Sequence, residues 1–526
     1  MTLSDDPKPD MVISLRYSND HLSELKSQLE KLVLAIQSAG LLVQCRQGTR
    51  TSLLLFIKCP EARITQESQK SRLQDWLHGV RIANPDENLY RSIKSDPLTQ
   101  AERLRLVYNL LTSPDGVGLT PKFGAWTMVE SIFPLHDSEF DREWLHRISG
   151  KWAIDDHELD TIRAQFGEKI AYYFAFLQFY FLWLIIPSLV GIFSYIFLAS
   201  YSIVFSISIG IWSMVFIEVW RRREIDLAVR WGVNGCSALN HQRAAFVAKK
   251  IHGIQDPTDQ YLFFKQVLRR LAAVPVALIA GLVLTVILSV IFSIEVFLNE
   301  QFLLGKQKLY LRILTYLPTV LFAAIVPIFS KLYTSISQRL TIAEDHETDA
   351  SFETAWTHKV FLLNFLTAYM SLFLTAYIYV PFGQQVVPKL DFLGLSDARA
   401  TRFEINPNRL RHQLIYYLVT AQALNAVQQL VVPYLMGRAT THAKNLQTKI
   451  TKKSQSNQDR KSEASFLERA RNEANLPDYK IYTDFSEMVI QVCLLMIDSD
   501  YSVWIYRLIR HHLAYHTIMC IGQQSI

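Results

Sequence analysis

Charged residues are scarce in this chain, since only 19% of its 526 residues are Asp, Glu, Lys or Arg. A typical soluble domain carries about 25% charged residues, so the composition already favours contact with lipid. The scarcity is uneven, because the 48 residues from position 170 to position 217 include no charged side chain. At ~1.5 Å per residue these positions make roughly 72 Å of helix, enough to cross a ~30 Å hydrocarbon core twice. The lack of charge therefore excludes an ordinary soluble protein and indicates membrane spans.

Cysteine is rare as well, and known catalytic motifs are missing. The five cysteines are Cys45, Cys59, Cys236, Cys493 and Cys520. No two of them stand at the spacing of a metal site or a typical disulfide, so we expect the thiols to be reduced or buried in lipid. The sequence has no Walker loop, no HExxH helix and no nucleophile elbow. We therefore expect this protein not to be an enzyme.

The remaining charge pattern points to lipid surfaces. The net charge of +6 is modest for this length. We interpret it as an excess of Lys and Arg in the loops and as attraction to lipid surfaces, with no nucleic-acid partner. His511, His512 and His516 near the C-terminus would suit either a metal site or an exposed tail. The N-terminus lacks a basic segment followed by an apolar run, so we expect the first ~165 residues to remain in the cytosol.

Residues 1–125 have the pattern of a cytosolic α+β domain. Residues 11–17 alternate apolar and polar side chains, as a half-buried strand does, and the leucines of 22–39 stand near helical spacing. Two strand-like runs follow at 41–45 and 52–58. This βαββ order predicts a ferredoxin-like sandwich, with either a regulatory role or a role in folding and trafficking.

Six long apolar runs predict membrane spans, and a seventh run is a partial span. They lie at residues 170–198, 203–220, 271–294, 313–330, 360–381 and 413–437, with the partial span at 482–497. Residues 126–165 link the head to the membrane region of 166–497, and residues 498–526 form a tail. The predicted fold class is a polytopic α-helical membrane protein with an N-terminal cytosolic ferredoxin-like domain.

Lys and Arg flank the predicted spans mostly on one side of the membrane. Residues 221–223 follow the second span, residues 269–270 precede the third, and residues 444–461 follow the sixth. The basic loop at 389–411 is the exception, because it would face outside. The balance predicts a cytosolic N-terminus in a multi-pass protein of the plasma membrane or endoplasmic reticulum.

Polar residues inside the spans are the candidate site residues. Asn425 and Gln429 stand four apart, and Asp484 and Glu487 stand three apart, so each pair shares one helical face. Two such faces turned toward each other would build an oxygen-rich pocket suited to Ca²⁺. The spacing leaves two alternatives open: acidic residues favoured at a helix N-terminus, and polar residues that hydrogen-bond between helices.

Short motifs in a fixed order extend over most of the chain, from Val12 to Gln491. They read LTPKFG at 119–124, FPLHD at 133–137, FGEK at 166–169, RRE at 222–224, LAVRWGV at 227–233, LPT at 317–319, YVPFG at 379–383, TAQ at 420–422, VPY at 432–434 and DFSEM at 484–488. In their order and spacing these motifs resemble the anoctamin (transmembrane-16) family, of the fungal type.

The resemblance implies a ten-helix dimeric fold that binds Ca²⁺ between spans six, seven and eight, with Asn425, Gln429, Asp484 and Glu487 at the matching positions. The resemblance implies a calcium-activated phospholipid scramblase, a chloride or non-selective ion channel, or a protein with both activities. Its partners would be membrane lipids and inorganic ions. Headgroups would cross along a groove lined by spans three to seven, without entering hydrocarbon. The alternatives are a membrane-contact tether that transports nothing and an inactive truncated fragment.

Five positions match groove or pore residues of the family. They are Glu295, Pro318, Thr319, Arg409 and Tyr416. Glu295 and Arg409 are expected to pair at the outer vestibule. Ordinary anchoring at the membrane interface is the alternative for each of the five.

The chain departs from the family pattern in two respects. Gln429 stands where the family usually has Glu, and losing one negative charge is expected to weaken Ca²⁺ binding. The resemblance ends after Gln491, so spans eight to ten have no counterpart. The acidic ligands that span eight contributes in the family are therefore missing, as is the last span, which builds most of the family's dimer interface. We therefore expect a C-terminally truncated member whose calcium site is incomplete.

Overall fold

The computed structural model describes residues 9–17, 22–48, 52–80, 97–113, 116–121, 126–151, 153–198, 202–236, 246, 259–303, 317–382, 427, 458–474, 476 and 480–497. These residues form an α/β head near the N-terminus and a group of long apolar helices.

The head is built on an antiparallel sheet with four strands among the described residues. The strands are β1 (Met11–Arg16), β2 (Leu42–Gln47), β3 (Ser52–Lys58) and β4 (Val129–Phe133), in the spatial order β2-β3-β1-β4. The helices of the head are α1 (Leu22–Ser38), α2 (Glu61–Leu77) and α3 (Gln100–Thr112). This is the strand order of a ferredoxin-like fold, as the βαββ pattern indicated. The last strand lies beyond residue 125, the boundary expected from the sequence.

Buried ion pairs connect α3 to the rest of the head. The Arg103 guanidinium donates to Asp10 Oδ1 at 2.6 Å, and Asp10 Oδ2 accepts from the backbone N–H of Cys59 at 2.8 Å. Asp10 is 5% exposed, so this carboxylate depends on its partners for compensation of its charge. Arg103 therefore holds α3 against the start of β1 and the end of β3.

Short helices lead from the head into the membrane region. They are α4 (Ser138–Ser149) and α5 (Asp156–Phe166), followed by α6 (Glu168–Trp183), α7 (Ile185–Phe197) and α8 (Ile203–Arg230). Gly167 has φ +92°, a conformation that glycine adopts readily, and it turns the chain from α5 into α6. Tyr173, Phe174 and Phe216 are buried in an aromatic-rich core shared by α6 and α8.

Three long helices pack on one another farther along the chain. They are α9 (Asp259–Leu303), α10 (Leu317–Ala343) and α11 (Asp349–Phe373), and α11 continues as a π-helix over Leu374–Tyr379. Their shared core consists of Leu284, Leu288, Val326, Tyr333 and Leu363. Gly281 allows α9 to approach α11 closely, since a Cβ there would stand 3.1 Å from Leu366 Cδ1.

By length and composition, four helices of the described part could cross a membrane, or five if one bent pair is a single span. They are Glu168–Phe197, Ile203–Arg230, Ala273–Glu295, Val320–Ala343, and the pair Ala350–Met370 with Leu374–Phe382, bent by 47°. Each overlaps one of the first five predicted spans, although the fourth, predicted at 313–330, shares only residues 320–330 with Val320–Ala343. The predicted sixth span, 413–437, lies outside the described residues apart from position 427. The structure thus confirms a helical protein with four or five candidate spans and a small sheet domain, whereas six clear spans are not confirmed.

Two further helices complete the described chain, α12 (Gln458–Glu473) and α13 (Ile481–Ile497). Helices α1 to α3 cover one face of the sheet, and α12 covers the other. Residues Met11 to Leu15 of β1 are consequently all buried, although their alternating pattern is typical of a half-buried strand. The covering helix comes from far along the chain, so no local pattern could indicate it.

Candidate functional site

Helix α13 carries the two acidic residues that the sequence analysis selected. Asp484 and Glu487 are three residues apart near its N-terminal end, and both side chains are partly buried. Ile481 and Met488 of the same helix are buried in the aromatic-rich core. The helix therefore places two carboxylates against an apolar helix bundle, an environment in which acidic residues usually have a functional role.

Aromatic residues from two other helices position α13. The Phe485 ring contacts Tyr173 and Phe176 of α6, with ring centroids 5.5 and 5.1 Å away. On the other side, the Tyr369 hydroxyl of α11 donates to the Ile490 carbonyl oxygen. Together these contacts hold α13 between α6 and α11.

Asp484 has a hydrogen-bond partner that the sequence analysis missed. The Tyr173 hydroxyl donates to Asp484 Oδ2 at 3.1 Å. The Thr483 hydroxyl donates to the Lys480 carbonyl oxygen at 2.7 Å and lies 3.2 Å from Asp484 Oδ1. Tyr173 is only 1% exposed. A buried tyrosine usually finds a hydrogen-bond partner for its hydroxyl. A tyrosine within a charge-free span could therefore have indicated a polar partner on another helix. The identity of its partner depends on the packing of α6 against α13.

The start of α13 is also attached to α11 through Trp356. The Lys480 ammonium lies 4.2 Å from the centroid of the Trp356 ring, and Tyr482 packs edge-on against the same ring at 5.1 Å. Cation–π contact of this kind stabilises by about 0.5–1 kcal/mol at exposed sites. The first turn of α13, which includes Asp484, is thus anchored from the side of α11.

Carboxylate oxygens are ligands suited to Ca²⁺, which takes six to eight oxygens. Asp484 and Glu487 fit as part of such a set, and the Tyr173 hydroxyl would orient a ligating carboxylate in the way outer partners of metal ligands do. Among the described residues, no group of three or more His, Cys, Asp or Glu side chains could hold a metal ion. Asn425 and Gln429, the other predicted ligands, lie outside the described residues.

The predicted groove residues are placed only in part. Glu295 is partly buried at the end of the span Ala273–Glu295, and Pro318 is buried in the first turn of α10, with Thr319 next to it in the chain. Arg409 and Tyr416 lie outside the described residues, so the pairing of Glu295 with Arg409 stays a prediction.

A ferredoxin-like head joined to long apolar helices, one of which presents two acidic residues, defines a polytopic helical membrane protein with a candidate cation site. Residues 162–499 match the anoctamin family model, described as a calcium-activated chloride channel. Residues 8–129 match a second model, described as the alpha-beta plait domain in TMEM16 lipid scramblase. The chain belongs to the anoctamin family.

Individual relatives support the same assignment. An uncharacterized protein of Schizosaccharomyces pombe is 30% identical over 505 residues, covering 93% of this chain and 73% of the relative. Anoctamin-10 of Homo sapiens is 28% identical over 324 residues, covering 59% of this chain and 44% of its own length. Anoctamin-8 of Mus musculus is 25% identical over 396 residues, covering 73% of this chain and 32% of its own length. The chain therefore spans less than half the length of these mammalian relatives.

Proposed function

We propose that this protein is a calcium-activated phospholipid scramblase, a chloride or non-selective ion channel, or a protein with both activities. We further propose that its head lies in the cytosol. The observation that carries the proposal is the placement of Asp484 and Glu487, one helical turn apart and partly buried in an apolar helix bundle. Carboxylate oxygens partly buried among apolar side chains are ligands that suit a hard cation, so the arrangement favours a cation site. The match to a family described as calcium-activated supports the same reading.

The proposed transport path follows the helices of spans three to seven. Helices α9, α10 and α11 pack along one another, and they would form one wall of a groove that lipid headgroups and ions follow. Glu295, Pro318 and Thr319 would lie in that wall, with Arg409 and Tyr416 from the sixth span. A polar groove lowers the barrier because the headgroup avoids hydrocarbon while its tails remain in the bilayer.

Gating in this proposal depends on α13. Asp484 and Glu487 would bind calcium together with Asn425 and Gln429, and bound calcium would supply the positive charge that offsets the carboxylates. Without it, the like charges of Asp484 and Glu487 repel each other and any other anionic group nearby. The Tyr173 hydroxyl, which donates to the Asp484 carboxylate, would orient it for calcium.

The cytosolic placement of the head rests on the basic end of α8. Arg221 and Arg222 are strongly exposed where the apolar part of this helix ends. Basic residues flanking a span favour the cytosolic side. Two spans separate the head from this end of α8, so both would lie on the same side of the membrane. Homodimerisation, which the family resemblance implies, stays a prediction.

The test is reconstitution of the full chain into liposomes that contain a trace of fluorescent phospholipid. A membrane-impermeant reductant bleaches the label in the inner leaflet only when lipid crosses the bilayer, and the free calcium concentration is varied. We expect calcium to accelerate bleaching, and we expect the double substitution Asp484→Asn with Glu487→Gln to abolish that dependence. Glu468→Gln, an exposed acid on α12, is the matched control.

Ion conduction is measured on the same liposomes by chloride and potassium efflux. Calcium-dependent bleaching without efflux would restrict the proposal to a scramblase, and efflux alone would restrict it to a channel. Bleaching and efflux that are both independent of calcium would refute it.

A further inference from the structure

Helix α12 lies against the face of the head's sheet that α1 to α3 leave uncovered. Its apolar residues Phe466, Leu467, Ala470 and Ala474 recur at helical spacing and face the sheet. On the sheet side they meet Val12, Leu54 and Phe56, with Phe133 and Leu135 beside them. The Phe56 and Phe466 ring centroids are 5.5 Å apart, and Ala470 is fully buried. The contact is therefore a packed interface rather than a loose approach.

Polar contacts at the C-terminal end of α12 fix its position along the sheet. Arg469 Nε donates to Glu473 Oε1 at 2.9 Å, and the same guanidinium donates to the His136 carbonyl oxygen. Glu473 Oε2 in turn accepts from the backbone N–H of His136 at 3.2 Å. The segment that follows β4 is thus bound to α12 through its main chain. We call Arg469, Glu473 and His136 the clamp.

A second basic residue attaches α12 to the edge of the sheet. Arg471 donates to the Gln47 carbonyl oxygen at 2.8 Å, at the end of β2. The helix is therefore held at two separate places on the head, by the clamp and by this contact.

Arg469 brings a positive charge into surroundings that include Asp137, Asp141 and Glu473. Asp141 of α4 is 3% exposed, and burial raises its pKa to about 6, with Asp137 and Glu473 raising it and Arg469 lowering it. Burial also lowers the pKa of His136, with Glu473 opposing that shift and Arg469 adding to it. Without the Arg469 charge, Glu473 and Asp141 would repel each other in a buried environment, so the clamp would open.

The clamp lies close in sequence to the candidate calcium site. Helix α12 ends at Glu473 and α13 begins at Ile481, with Asp484 in the first turn of α13. The seven intervening residues reach at most about 25 Å when fully extended. Because α13 is also attached to Trp356 of α11 through Lys480, its N-terminal end is held from two sides. The position of α12 therefore limits where the N-terminal end of α13, and with it Asp484, can lie.

We propose that Arg469 is a positioning residue that holds α12 on the head, so that the head sets the geometry of Asp484 and thereby the calcium concentration at which the protein is activated. This inference rests on the proposed function for its calcium readout. Its structural content, the coupling of the head to the start of α13, is independent of transport.

The test compares Arg469→Gln, Arg469→Lys and the unchanged chain by amide hydrogen exchange without calcium. Arg469→Gln removes the charge, and we expect faster exchange in α12 and also in residues 481–487. Arg469→Lys keeps the charge and is expected to restore part of the protection at both places. Arg222→Gln on α8, where the side chain is 77% exposed, is the matched control and is expected to change neither.

The second readout is the calcium dependence of lipid transport in liposomes. We expect Arg469→Gln to shift the half-activating calcium concentration about 5-fold or more, the usual size of a coupling between sites. Faster exchange in α12 with unchanged exchange in 481–487 would overturn the inference, as would an unchanged calcium midpoint in an active protein. If the unchanged chain transports nothing, the proposed function fails, and the exchange data alone then decide the coupling.

Discussion

Asp141 of α4, whose charge interacts with Arg469 and Glu473 of the clamp, gives a quantitative prediction of how the stability of the protein depends on pH. Its side chain is 3% exposed, and its Oδ2 atom has no hydrogen-bond partner within the described part of the chain. Burial raises its pKa from the ordinary 3.8 to about 6. One pKa unit corresponds to about 1.4 kcal/mol, so ionised Asp141 destabilises the folded protein by at most about 3 kcal/mol. Allowing for relaxation and water penetration around the charge, we expect about 1.5–3 kcal/mol.

The sign of the pH dependence follows from the direction of this shift. Because the pKa is higher in the folded state than in the unfolded state, acidification between pH 6 and pH 4 stabilises the folded protein through Asp141. Asp141→Asn removes the buried charge, so the variant should be more stable than the parent at pH 7. The advantage should disappear as the pH falls toward 4, where the parent carboxyl is protonated as well.

Thermal unfolding of the full chain in detergent, measured for both proteins from pH 4.5 to 7.5, gives the required comparison. The difference between variant and parent is the informative quantity, since the titration of His136 and of other groups contributes to both. A variant that is less stable than the parent at pH 7 would refute the reasoning. A difference that is the same at every pH would refute it too, because a buried ionised carboxyl cannot produce it.

Three further predictions concern the head and the candidate site. Arg103→Leu leaves the buried Asp10 carboxylate without its guanidinium and should destabilise the head by about 3–5 kcal/mol, seen as earlier loss of its circular-dichroism signal; a neutral effect contradicts this. Tyr173→Phe deletes the hydrogen bond to Asp484, worth about 1–2 kcal/mol, and should raise the half-activating calcium concentration, whereas the control Tyr172→Phe, whose hydroxyl meets the Glu224 carbonyl oxygen at 3.4 Å, should not. Gln429→Glu adds a negative charge to the predicted pocket and should lower that concentration; an unchanged midpoint would separate Gln429 from the site.

The local patterns of the sequence predict β1, β2, β3 and α1 of the head and the long apolar helices, whereas α2, α3 and β4 were not predicted. The strand patterns of the head and the leucine spacing of α1 correspond to observed elements, because alternation and helical periodicity arise within a few residues. The long apolar runs predict the helices of the first five spans, although the helices extend beyond the runs and the fourth run, 313–330, overlaps only the N-terminal part of α10. The pairing of Asp484 with Glu487 on one face of α13 follows equally from helical geometry.

Contacts between distant segments were not predictable in this way. The burial of Val12 and Phe56 beneath α12 joins strands of the head to a helix that follows the predicted sixth span. The hydrogen bond from Tyr173 to Asp484 likewise joins the first span to α13. Each residue has an ordinary interpretation by itself, a strand residue or a tyrosine in a span, and its role depends on its partner.

By itself, then, the sequence determined that this chain is a membrane protein with a ferredoxin-like head and two acidic residues on one helical face. These properties depend on composition and on spacing along a single element, which chain geometry converts directly into structure. Only the tertiary structure decided that α12 closes the second face of the sheet, that Arg469 joins α12 to the head, and that Tyr173 orients Asp484. Those contacts depend on packing among segments hundreds of residues apart, and no local pattern encodes which surfaces meet.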